Sequence, residues 1–240
     1  MKPAIFGKRN TSGAPPAAFV RIAAGIERTD DTIGTMRRLA SLGEEIMTLV
    51  VAAYTTRLGV HGETAIAALA AVTGEFITRA TGKPQEADPL GRDDIAEGLL
   101  YADERHGMWT VWSIVYGNAL AAGARPKSVP SMSDVLLRTQ STIGTDGFPE
   151  STVPENHQPQ EWPPHACARF RDAILDIELR EVLTAHETVL ALAFGVGFLV
   201  SRTIRTGLDP AVALLLAAEI LAAALRMPPI SHPELSRLTG

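Results

Sequence analysis

At 240 residues the chain can bury a substantial core, either as one large domain or as two small ones. Its hydrophobic fraction is 46% and its aromatic fraction 5%, so alanine, leucine and valine supply the apolar mass, which favours close-packed helices over an aromatic-rich β-sandwich. A formal charge of -5 offers no overall positive field for phosphates and argues against nucleic acid as a general partner; one cysteine, Cys167, excludes an intrachain disulfide and a cysteine-based zinc cluster.

Residues 1–16 hold Pro3, Gly7, Gly13, Pro15 and Pro16, lack the apolar core of a secretory signal, and are expected to form a flexible tail. Seven basic and three acidic side chains fall within residues 1–42, a basic start that leaves one opening toward an acidic partner. Helical spacing begins at Ala17 in AAFVRIAAGIER and pauses at TDD, where Thr29 or Asp30 can cap a second helix. That helix, TIGTMRRLASLGEEIMTLVVAAYTTRLG, is predicted to run to about Gly59. A third, TAIAALAAVTGEFITRATGKP, is predicted to start from a Thr64 cap and to end before Pro84. A fourth is predicted over 93–123.

Residues 124–164 contain seven prolines, and only SDVLLRT among them suggests a helical turn or two. So long a connection is usually functional or disordered, and this one is expected to cross the surface of the bundle or a partner. Helical periodicity returns at about His165, with a break expected near Thr184 or at residues 195–197. Asp209 and Pro210 provide an N-cap and a first-turn proline for the last helix, which is predicted to end before Pro228. No run alternates as a strand would. The expected fold is an all-α bundle of about six to eight helices, one domain over 17–228. It comprises a helical part 17–123, the proline-rich connection 124–164 and a helical part 165–228, with 229–240 as a C-terminal tail.

Apolar hairpins at 46–82 and 183–227 are expected to form the centre. GEFITRATGKP (74–84) and AEILAAALRMP (218–228) each place a Glu, Glu75 or Glu219, nine residues before a Pro; diverged duplication and shared composition both produce such a pattern. The loop RTIRTG resembles the turn of a positive-inside membrane hairpin, but the runs 189–200 and 211–225 are short for a bilayer and Glu219 would be costly in lipid. A buried contact is the better reading. Arg202, Arg205 and Arg226 are the first expected partners of Glu219, and Arg79 lies one turn on from Glu75.

Candidate sites are sparse. Asp94, Glu97 and Glu104 line one face of the predicted fourth helix, and with Glu178 and Glu181 could hold Mg²⁺ or Mn²⁺ in an all-oxygen site. A solvated acidic face explains them more simply. Asp103 and His106 have the spacing of half a di-iron site but no second half. Trp109, Trp112 and Tyr116 fall at i, i+3 and i+7 and could wall a ligand pocket or anchor an interface, with core packing as the default. His165 and Cys167 at a helix start suggest an activated thiol, but no third orienting group can be assigned; His157, His165 and Cys167 fare no better as a metal site. Walker, strand-linked GxGxxG and HExxH motifs are absent from the chain. The leading expectation is a non-enzymatic helical interaction protein, homodimeric and cytoplasmic, binding a protein or a small apolar ligand, with Trp109, Trp112, Tyr116, Glu75 and Glu219 as ligand or interface residues. A Mg- or Mn-dependent hydrolase and a membrane-associated helical hairpin are the alternatives.

Overall fold

The computed structural model describes residues 32–57, 59–81, 99–100, 110–145 and 148–227. Seven α-helices make up this part of the chain, together with a two-residue β-pair, so the protein is an all-α bundle. The helix expected from Ala17 and both terminal tails lie outside the described residues.

Helix α1 (Thr32–Ala53) buries Met36, Leu39, Leu42, Ile46 and Val50, the three-and-four spacing that puts one stripe against a core. It stops at Ala53, short of the predicted Gly59. The Thr55 hydroxyl donates to the Val51 carbonyl at 2.7 Å, and Thr55–Thr56 (β1) pairs antiparallel with Gly59–Val60 (β2). The predicted glycine stop is thus a hairpin residue with φ 111°. Helix α2 (Gly62–Ala80) is capped by His61, whose ring accepts from the Thr64 amide; Thr64 is not the cap but sits in the first turn. Every residue from Thr64 to Ile77 is buried, so this helix has no solvent face along that length.

Helix α3 (Val111–Ala121) starts from Thr110, which has an extended backbone and forms a reciprocal capping box with Ser113. A single helix over 93–123 is therefore not formed. Local capping at Thr110 outcompetes the helical periodicity that runs through it. Within the proline-rich connection, Ser131 caps a three-turn helix, α4 (Met132–Thr142), longer than SDVLLRT suggested. Helix α5 (Pro163–Arg180) begins with proline in its first turn. Its junction with α6 (Ala185–Arg205) is a sharp corner: Val182 has φ 54°, about 1–2 kcal/mol uphill for a side chain branched at Cβ, and Thr184 with Glu187 forms a second capping box. The break falls near Thr184, and α6 runs unbroken through Gly195 and Gly197. Helix α7 (Pro210–Ala224) has its Asp209 cap and first-turn Pro210 as predicted.

Helix α6 is the axis of the bundle, packed against α1, α2, α3 and α7, while α2 also packs on α7 and α5. Glycine allows the closest crossings. A Cβ added at Gly43 would lie 2.6 Å from Phe194 Cβ and 2.8 Å from the Gly195 nitrogen, so α1 and α6 touch backbone to backbone there. Gly74 is pressed as closely on α7, where a Cβ would meet Ala224 Cβ at 2.5 Å. Helix α6 is long and apolar enough to cross a membrane by length and composition, yet 78% of its apolar window is buried inside the bundle.

Candidate functional site

The proline-rich connection crosses the bundle and is fastened to it. Its described residues between Arg138 and Trp162 form a strap tied to the bundle at three places, and each tie is made by a carboxylate.

The first tie is Glu219 on α7, 5% exposed. Its Oε1 accepts from the Arg138 guanidinium of α4 and from the Thr152 hydroxyl at 2.6 Å; its Oε2 accepts from the Ser151 hydroxyl and from the Thr152 amide at 2.7 Å. Two oxygens offer about four lone-pair positions, and four donors fill them. Four donors converging on one carboxylate make Glu219 an anchor for the strap. Its partner is Arg138, not Arg202, Arg205 or Arg226. Arg226 instead donates to the Ala222 carbonyl of its own helix at 3.1 Å. Position in the sequence favoured the nearby arginines, but α4 folds back across α7 and brings a distant one.

The second tie is at the start of α2. His157 donates from Nδ1 to Glu63 at 2.8 Å, and the Gln160 amide donates to the Thr64 hydroxyl at 2.8 Å. Burial alone would raise the Glu63 pKa, but the His157 hydrogen bond, the helix-start amide and the neighbouring His61 outweigh it, and the carboxyl is held below its usual range. A carboxyl with a folded pKa below its unfolded value stabilises the fold above the unfolded value of about 4.3, and loses that contribution as pH falls through the folded pKa. Urea unfolding of the Glu63→Gln variant is therefore expected to show a shallower loss of stability below about pH 5 than the parent chain. Equal slopes for the two chains would refute the tie.

Glu161 makes the third tie. It accepts from the Tyr54 hydroxyl at the end of α1 and from Arg169 at 2.8 Å, while the Arg169 guanidinium sits 5.4 Å from the centre of the Tyr54 ring. Burial, and then the hydrogen bond to Glu161, push the Tyr54 phenol well above its ordinary range, so it is a fixed donor. Gln158 closes the strap on itself, donating to the Ser151 and Val153 carbonyls at 2.8 and 2.7 Å.

Between strap and bundle lies a cleft of about 510 Å³, within the 300–1,000 Å³ range of small-molecule sites. Ile220 of α7, Val153 and Pro163 give it an apolar floor, and Glu150, Glu155 and Trp162 stand at its walls. Trp162 is 43% exposed, an uncommon position for so large an apolar ring, and it meets the His165 ring edge-on at 5.3 Å. Among the described residues, His165 Nε2 is buried without a hydrogen-bond partner. Nothing in the sequence pattern marked Trp162; its isolated place among prolines was the only signal.

None of the predicted site residues that are described lines this cleft. Asp94, Glu97, Glu104 and Trp109, like Asp103 and His106, lie outside the described residues. Glu178 is half-buried on α5, and Glu181 caps the end of that helix, paired to Arg180 at 2.9 Å. Arg180 also holds Glu45 of α1 at 2.7 Å, so Glu181 belongs to a surface ion-pair network. Among the described residues no group of three or more His, Cys, Asp or Glu side chains is placed to hold a metal ion. Trp112 is buried in the core and Tyr116 is half-buried on α3; neither lines the cleft, and burial raises the Tyr116 phenol pKa. Glu75 is buried and held by both nitrogens of an Arg171 fork, at 2.5 and 2.9 Å. Arg79, its expected neighbour, stacks 5.0 Å over Phe76 instead. Burial, and then the adjacent Glu75, push the Cys167 thiol well above its normal range, which keeps it protonated and unreactive.

No family model, curated protein or solved structure matches the chain in comparison.

Proposed function

We propose that the protein is a non-enzymatic helical binding protein whose ligand, a small organic molecule, enters the cleft between the proline-rich strap and α7. The observation that carries this reading is a cleft of ligand size with its walls already tied down. The four donors on Glu219 fix the strap before any ligand arrives, so binding needs little ordering of the chain. The exposed Trp162 supplies a large, stiff contact surface at low entropic cost. Burial of α6 within the bundle supports a core helix over a membrane span. The apolar helices behind the homodimer expectation are likewise buried within a single chain.

An NMR screen of neutral, cationic and anionic aromatic fragments tests the reading. Fragments are expected to shift the Trp162 indole resonance, assigned by its loss in Trp162→Leu, and to raise the melting temperature. If no fragment class moves that resonance, the cleft is not a binding site.

A further inference from the structure

The cleft has a charge preference that its size and shape alone do not require. Glu150 and Glu155 are exposed at its wall and carry no ion pair among the described residues. Glu161 also lines it, but its charge is balanced by Arg169. Among the described lining residues there is no Lys, Arg or His. Two uncompensated carboxylates therefore face a partly enclosed space, where low-dielectric walls focus their field on whatever enters. Beside them stands the exposed Trp162, and an indole face is the best aromatic partner for a cation. Below them the floor is apolar: Ile220 is 1% exposed, and Val153 and Pro163 are buried.

From this combination we infer that the cleft selects an organic cation with an apolar body, an alkyl- or arylammonium, whose charge lies between Trp162 and the Glu150 and Glu155 carboxylates and whose hydrocarbon part rests toward Ile220. The inference rests on the binding-cleft reading above and adds the chemical class of the ligand. A carboxylate-bearing ligand would be repelled by both glutamates. A neutral ligand would gain the floor and the ring face but not the field.

Titration calorimetry on the full chain tests it with three probes of similar shape: benzyltrimethylammonium, its neutral carbon isostere neopentylbenzene, and phenylpropionate. The cation is expected to bind at least about tenfold more tightly than the isostere at low salt, with phenylpropionate undetected. Glu150→Gln combined with Glu155→Gln is expected to weaken the cation about tenfold and leave the isostere unchanged. Both positions are exposed, so the double variant is expected to fold with an unchanged melting temperature. Equal binding of cation and isostere overturns the charge preference and leaves the binding cleft standing. Failure of all three probes to bind overturns the ligand class, while the fragment screen decides the cleft separately.

Discussion

Replacing Glu219 with leucine is expected to lower stability by about 2–4 kcal/mol, because the buried Ser151 hydroxyl and the Thr152 amide lose their acceptor while the half-exposed Arg138 returns to water. Those two donors are bound to the same Oε2. For a chain of this length each kcal/mol corresponds to about 2–4 °C, so the melting temperature should fall by about 4–16 °C. Arg138→Met is expected to cost about 1–3 kcal/mol, because it leaves the 5%-exposed carboxylate without a counter-charge, although Ser151 and Thr152 still donate to it. Amide exchange at Thr152 in the Glu219→Leu variant should quicken more than exchange in α6, since the strap loses its tie while the axis of the bundle keeps its packing. An unchanged urea midpoint together with unchanged exchange at Thr152 would show that Glu219 does not hold the strap.

The same substitution is expected to have opposite signs at different glycines. Gly43→Ala gains about 1 kcal/mol of helix propensity, but its Cβ would stand 2.7 Å from the Ala191 carbonyl oxygen and 2.8 Å from the Gly195 nitrogen. Backbone atoms can yield only if α1 and α6 separate, so a net loss of about 1–3 kcal/mol is expected. Gly74→Ala should behave alike, with Ala224 Cβ at 2.5 Å and the Leu221 carbonyl at 2.9 Å. Gly117 lies within α3 and has nothing within 4 Å of an added Cβ, so Gly117→Ala is expected to stabilise by about 0.5–1 kcal/mol. Urea unfolding of the three variants checks the pattern. If all three shift stability in the same direction, the close helix crossings are not what sets the outcome.

Part of this architecture is legible residue by residue. The Asp209–Pro210 start of α7 and the break near Thr184 follow from rules that operate within one helical turn. The predicted helix over 93–123 fails by the same logic, because the Thr110–Ser113 capping box is also local and was overlooked beneath a longer periodic pattern. For the connection, seven prolines implied a path across the surface of the bundle or a partner, but not the side chains that fasten it. The prolines flank α4 and punctuate the strap, and leave room for Ser151 and Val153 to be buried.

The sequence by itself determined the helical class, the capping of α7 and the expectation that Glu219 would make a buried polar contact, since α7 keeps no continuous polar face to hold a carboxylate in water. Which partners Glu75 and Glu219 take was decided only by the tertiary structure. Arg171 is 96 residues from Glu75, and Thr152 and Arg138 are 67 and 81 residues from Glu219. Every arginine in the chain has the chemistry to serve, so no local pattern distinguishes the one that does. The cleft arises from the same cause. Ile220 and Trp162 share no periodicity and no motif, and they come to line one cleft because Glu219, Glu63 and Glu161 bring the strap down onto the bundle.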